Sequence, residues 1–525
     1  MPGYDQPNDG QEEIFTATMM AALEWGLFPY AGEVLDNYFS HFIRRDGTVL
    51  YRGMEMSQQG RVLTCAAQHY FYTRNATLLL KHLAKVDGVA ALLRKRRTLA
   101  LELFPDAKDS RHGMPAGIDE TDMWWAATGN RNTSLTQLPF LSIATEMWRG
   151  FRDAGEALAA IAAAEGHTLP APVLAQTLKV SEAMLSVLAP LAADIKSSMA
   201  KDAAAANANA APRGTPRCFP YVAGTPECGE LNASVAGTNR ASEPWRTYAE
   251  VLYSGFLPPA TTAELLAWHQ TQQGDGVVGS RLKLGVLAGN GNNVLTGDQF
   301  EMFTIHGFGY GLLAADLVEP FILAYFTISS HAYTRGTWVA PESVPLDVTQ
   351  STPPFCAPAG VVAPLYLKWM LVFEEPAQHT LWLGKATPRP WLTQGGKIAV
   401  ANASTAYGRV SFSYTAAGKQ LAAAEGSAAA VVPDAVHVQV GWARRAADPL
   451  PAGGLRIRLR LPSSGSTGGS GSGSGGRIVG ATLRDGTLWT GIDDAAEALV
   501  FTAAELGAAG LIESLSSIRV VTAKK

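Results

Sequence analysis

Cysteine is scarce, with four residues in 525, and that excludes a fold held together by a disulfide framework. Cys65, Cys218, Cys228 and Cys356 are dispersed. Only Cys218 and Cys228 are near neighbours, in CFPYVAGTPEC, where a turn-rich loop of nine intervening residues can be stapled or left as two thiols. Neither CxxC nor HExxH occurs, so the sequence offers no zinc site and no metal is expected. No cofactor motif stands out. Charge of one sign is lacking as well: 42 Lys and Arg stand against 46 Asp and Glu, a formal net charge of -4. A chain so balanced has no general electrostatic reason to bind nucleic acid or an anionic membrane. The strongest apolar stretch, residues 312–328, is broken by Asp316, Glu319 and Pro320, which argues against a membrane span. The opening MPGYDQPNDG has no basic region leading into an apolar run. A cytoplasmic protein is therefore expected, or an extracellular or secretory-lumenal one if the sequence is a fragment of a longer polypeptide.

What the chain has in quantity is apolar residues, 47%, and twelve tryptophans. The length supports a large core and more than one domain. Trp is large and carries an N–H that needs a partner, so this number exceeds what core filling requires. Flat aromatic faces suit sugars; core and interface packing accounts for about half of them. Four N-x-S/T triplets begin at Asn75, Asn132, Asn232 and Asn402, and matter only on a secretory route.

Up to about residue 345 the sequence reads as helices separated by irregular loops. EEIFTATMMAALEW, AGEVLDNYFSHFI and GRVLTCAAQHYFYTR return apolar residues every three or four positions. Residues 75–90, 137–165, 172–205, 261–271 and 310–326 extend the pattern. Ser242 is placed to cap a helix begun by Glu243 and Pro244. Near Pro364 the period changes. LYLKWMLVFEE, HTLWLG, GKIAVANA, GRVSFSYTAA, HVQVGWA and LRIRLRLP alternate or run β-rich. A Gly/Ser run at 463–476 cannot pack a core and reads as a long loop inside one sheet domain, since strand-like sequence flanks it. The expected fold is mainly α: a ring of antiparallel helical hairpins over residues 1–360, then an antiparallel β-sandwich over 361–525.

Two loops carry the chemistry. GIDETDMWW sets Asp119, Glu120 and Asp122 within four positions of one another beside Trp124 and Trp125. Like-charged neighbours and aromatic walls both raise a carboxyl pKa, as a general acid near neutral pH requires. A solvated acidic turn that caps a helix is the competing reading. In HAYTRGTWVAPES, residues 331–343, Arg335 offers a rigid fork of donors, Trp338 a stacking face and Glu342 a carboxylate able to activate water. Two further loops add His306 and Tyr310 (IHGFGYG) and Trp245 with Arg246 (RASEPWRTYAE) as sugar partners. For each, a structural role is as well supported: a satisfied core histidine, or an i,i+3 pair of Glu243 with Arg246. One carboxyl to protonate the leaving oxygen and one carboxylate to activate water or attack the anomeric carbon is what glycoside hydrolysis needs.

HGMPAGIDETDMWW, RGTWVAPE and the later LWLGKATPRPWLTQGGKIAVANASTAYGRVSFSY together resemble the six-hairpin, or (α/α)6-barrel, glycosidase superfamily with its accessory β domain, over roughly residues 11–460. The resemblance implies an inverting enzyme acting on an oligo- or polysaccharide, with Asp119 or Glu120 as acid and Glu342 as base. Such enzymes often carry a β domain ahead of the barrel, whereas this chain enters helices almost at once, and six complete hairpins are hard to count before residue 345. The first hairpin is therefore expected to be partial, or to be supplied by sequence upstream of this chain. Three other readings stay open: a polysaccharide lyase using Tyr310 with His306 or Tyr333 with His331, a sugar phosphorylase, and a non-catalytic carbohydrate-binding or scaffold protein.

Overall fold

The computed structural model describes residues 12–49, 57–117, 138–208, 217–225, 244–272, 299–301, 305–331, 333–334, 336–341, 343–345, 356–375, 378–417, 433–445, 448–462 and 476–523. The chain divides into two compact units, residues 1–23 with 27–365, and residues 24–26 with 366–525.

The first unit is built from helices. In chain order the described ones are α1 (Glu12–Glu24), α2 (Phe28–His41), α3 (Ser57–Thr73), α4 (Thr77–Lys81), α5 (Leu83–Leu103), α6 (Leu141–Glu165), α7 (Ala171–Leu185), α8 (Leu188–Ala206), α9 (Pro244–Ser254), α10 (Pro259–Gln272), α11 (Ile305–Ala314), α12 (Val318–His331) and α13 (Ala357–Leu371). Helix α13 runs on into the second unit. A short ribbon pairs β1 (Gln299–Glu301) with β2 (Ser343–Pro345), antiparallel. Several boundaries fall where the sequence puts them, and others do not. Residues 172–205 form two helices, broken between Leu185 and Leu188, and 310–326 likewise splits at Asp316, which adopts φ of 59°.

Helix α6 is the centre of this unit, packed by α3, α7 and α9. It is buried from Leu141 through Leu158 on almost every side, and Glu146, Arg149, Arg152 and Asp153 are buried with the apolar residues. Charges so placed need partners. The close approach of α3 to α6 depends on glycine: a Cβ on Gly60 would overlap the backbone carbonyl of Glu146, and one on Gly150 would overlap the carbonyl of Gly60. Helices α9 and α11 meet in the same way, Gly307 lying against the Ala249 carbonyl.

The second unit holds two sheets. One has the order β10-β9-β13-β7-β6-β5 and is antiparallel throughout, with β5 (Lys397–Thr405), β6 (Gly408–Ala416), β7 (Ala435–Ala443), β9 (Arg477–Thr482), β10 (Leu488–Trp489) and β13 (Ile518–Ala523). The other has the order β11-β12-β8-β4-β3, from β3 (Val372–Glu375), β4 (Thr380–Leu383), β8 (Leu455–Arg458), β11 (Ile492–Asp493) and β12 (Ala498–Phe501), with β4 and β8 parallel. Period-two alternation decides the inward set. Val410, Phe412 and Tyr414 of β6 and Val436, Val438 and Val440 of β7 share one core with Leu381, Leu383, Leu455, Ile457, Leu499 and Phe501. LYLKWMLVFEE, expected to be strand, is instead the end of α13 followed by β3. With Lys368 the one polar position between Leu365 and Phe373, the run carries too few polar residues from which to read a period.

Candidate active site

The acid-and-tryptophan loop, with Asp119, Glu120, Asp122, Trp124 and Trp125, lies outside the described residues, as do Arg335 and Glu342. Its two shoulders are described, and they are held firmly. The Gly117 N–H donates to the Leu138 carbonyl at 3.0 Å, closing the base of residues 118–137. Two residues on, Phe140 pairs with Val222 and begins α6 at its N-cap. On the entering side, Arg111 grips Asp109 at 2.7 Å and lies over the Phe104 ring at 4.1 Å, so the hydrogen bond from Arg111 draws the Asp109 carboxyl below its usual range. The Gly224 N–H donates to buried Asp202 at 3.1 Å. Gly113 adopts φ of +70° against the Asp194 carboxylate, where a Cβ would leave no room. The described residues on either side of 118–137 are thus held by hydrogen bonds, and those after it lead into α6.

The second loop is partly described. Residues 334–339 close a tight turn: the Thr334 N–H donates to the Val339 carbonyl at 2.9 Å, the Trp338 N–H to the Thr334 carbonyl at 2.9 Å, and the Val339 N–H to Thr334 Oγ1 at 3.1 Å. Trp338 sits in this turn at φ of 55° and is 66% exposed, with its ring 5.9 Å from that of Tyr333. A large indole in a left-handed conformation is uncommon, and the turn's hydrogen bonds hold it there. Tyr333 anchors the turn. Its hydroxyl donates to the Ala359 carbonyl at 2.8 Å and accepts from the Ala363 N–H at 3.0 Å, and burial pushes its pKa up. A phenol so committed to backbone is not placed to take a proton from a substrate. Glu342 immediately precedes β2.

His306 and Tyr310 lie on α11, buried to 1% and 3% exposure. They pack edge-on against Tyr253 of α9, with ring centroids 5.6 and 5.3 Å away. Trp245 and Arg246 lie in the first turn of α9, and their side chains are outside the described set. The structure therefore brings His306 and Tyr310 together, and they join a cluster that sequence reading did not find. Arg149 reaches over the Tyr253 ring at 4.4 Å, donates to the Tyr253 carbonyl and pairs with Asp153 at 3.3 Å. Arg152 pairs with the same Asp153 at 2.7 Å. Arg61 lies 3.5 Å from Glu146 and 5.3 Å from the Tyr253 ring centre. Burial raises the Glu146 carboxyl above its ordinary value, and the two arginines oppose this. It also raises Tyr253, to about 12. Sequence reading had no signal for them: Glu146, Arg149 and Asp153 recur at helical spacing and read as an ordinary polar face, which the structure buries. Among the described residues no group of His, Cys, Asp and Glu is arranged to hold a metal ion, and no helix is long and apolar enough to cross a membrane.

No protein-family model and no curated protein matches this chain. Solved structures similar to it include a wild-type glycosidase, at a TM-score of 0.37 and 15% identity, and a glycosidase variant in complex with glucose, at 0.38 and 15%. Another glycosidase variant has a TM-score of 0.40 and 16% identity. Each match covers 68% of this chain and 86% of that chain. Likeness of this degree assigns neither a residue nor an activity.

Proposed function

We propose that this protein is a glycoside hydrolase that acts on an oligo- or polysaccharide by general acid and base catalysis, with inversion. Asp119 or Glu120 protonates the departing glycosidic oxygen, and Glu342 takes a proton from the water that attacks the opposite face of the sugar. Asp122 orients the acid, Trp124, Trp125, Trp245 and Trp338 stack on sugar rings, and Arg246 and Arg335 meet hydroxyls, while His306 and Tyr310, buried against Tyr253, pack α11 onto α9. In this reading the helical part, residues 1–360, is an (α/α)6-type barrel whose loops open on one cavity, and residues 361–525 are its accessory β-sandwich. The observation that carries the proposal is the coincidence of carboxylate and tryptophan in two separate loops, the first of them rising from a base pinned at Gly117 and Leu138. An exposed Trp338 on a rigid turn supports the carbohydrate half of the reading in particular, since a preformed aromatic face is what a sugar ring stacks on.

The same exposed tryptophan fits a protein that holds glycans without cleaving them, and one experiment separates the two. The purified chain is incubated with natural glycans and aryl glycosides, and products are read by mass spectrometry and by NMR of the first-formed anomer. Saturated products with inverted configuration are expected. Glu120→Gln and Glu342→Gln should each abolish release while the circular dichroism spectrum stays that of the parent. Parent-like rates in both variants would remove these assignments. A product with an unsaturated uronate would make the enzyme a lyase, and glycan capture without any product would leave the binding reading in its place.

A further inference from the structure

Of the four N-x-S/T triplets, two fall on described residues, and both asparagines are exposed. Asn402 lies in β5, an edge strand, where the register against β6 shifts between Val400 and Ala403. Its backbone groups are both held: the N–H donates to Ser411 Oγ at 2.8 Å and the carbonyl accepts from Arg409 at 3.1 Å. The residue adopts φ of 56°, which bends the strand locally and leaves the side chain in solvent. Asn75 lies in the turn between α3 and α4. Its Oδ1 accepts from the Thr77 N–H at 2.9 Å, and its own N–H donates to Thr73 Oγ1 at 3.1 Å. In both places the backbone is fixed by other groups, and no described hydrogen bond uses the side-chain nitrogen.

A triplet alone occurs by chance. The independent observation is redox chemistry: Cys218 is disulfide-bonded. Structural disulfides persist in oxidising compartments, the secretory lumen among them, and that lumen is where asparagine meets a glycosyl donor.

We propose that Asn402 and Asn75 are N-glycosylated. In the step itself Nδ2 of the asparagine forms a bond to the anomeric carbon of a lipid-pyrophosphate-linked oligosaccharide. The anomeric carbon–oxygen bond breaks, the lipid pyrophosphate leaves with the electron pair, and the amide gives up one proton. Nothing is oxidised or reduced. At Asn402 the glycan also shields an edge strand whose unpaired backbone groups would otherwise be open to another chain.

The test uses the protein isolated from its own cells. Peptides are treated with peptide N-glycosidase in heavy-oxygen water, and the masses of those containing Asn402 and Asn75 are read. Conversion of each asparagine to labelled aspartate is expected, along with a Cys218 that is alkylated only after reduction. Both asparagines found unmodified would overturn the proposal. A second measurement expresses Ser404→Ala in the same cells: Ser404 is buried and its hydroxyl has no hydrogen-bond partner among the described residues, so the substitution leaves the strand in place while destroying the triplet. Loss of one glycan's increment in gel mobility supports Asn402 as an acceptor, and mobility identical to the parent overturns it.

Discussion

Glu146 is wholly buried, and among the described residues its carboxyl has one hydrogen-bond contact, from Arg61 at 3.5 Å, while Oε2 has none. Burial outweighs the two nearby arginines and lifts its pKa above the ordinary 4.5. The folded state therefore holds this proton more tightly than the unfolded chain does. Stabilisation from that protonation is complete below the unfolded value and disappears as pH rises through the raised folded value. Glu146→Gln keeps the shape and removes the titration. The difference in denaturation midpoint between parent and variant should thus change steadily as pH climbs from about 4.5, in the direction of the parent losing ground. Chemical denaturation at a series of pH values measures it, and a difference constant with pH would show that Glu146 titrates normally. This residue also marks where sequence reading stopped. Asp119, Glu120 and Glu342 were visible because loops rich in acid and tryptophan are unusual in composition. Glu146 and Arg149 were not, because on a chain read as text they look like any charged positions of a helix; only the burial of the helix from Leu141 through Leu158 makes them exceptional.

At the level of elements, the crossing of α3 and α6 is one of the tight joints. A Cβ on Gly60 meets backbone, which cannot swing aside as a long side chain can. Gly60→Ala is expected to lower stability by about 1–3 kcal/mol, the usual range for overpacking a well-filled interior. Gly480, in β9, has nothing within 4 Å of the same position, so Gly480→Ala should be close to neutral. Paired urea titrations decide it, and equal midpoints for the two variants would mean the helices part easily. Periodicity made most elements legible: the alternation in GRVSFSYTAA gives β6, and EEIFTATMMAALEW gives α1. It failed in two physical circumstances. LRIRLRL alternates throughout, yet only Leu455–Arg458 is paired as strand, although Leu459 and Leu461 remain in the core. Nor does the alternation separate buried from exposed side chains here, since Arg458 and Arg460 are buried as well. The approach of α3 to α6 was likewise hidden, since a lone glycine in a helix says nothing about which backbone it faces.

On the scale of the whole molecule, the Gly/Ser run is the largest stretch of sequence with nothing to contribute to a core. Its ends are brought together by the fold itself: the Gly476 N–H donates to the Pro462 carbonyl at 3.0 Å. The 13 residues 463–475 between them close a loop at a point already fixed on both sides. Loop-closure entropy grows as three halves of RT times the logarithm of length, so replacing the run with about four residues should stabilise the chain by about 1 kcal/mol. Catalysis on the proposed reading involves only residues of 119–342, so hydrolysis rates should not change. Thermal unfolding and the glycan assay together test this. A shortened chain that is less stable, with activity intact, would mean that the run makes contacts its composition does not suggest. A shortened chain of unchanged stability that loses activity would place the run at the substrate, and would move part of the binding surface from the helical loops to the β unit.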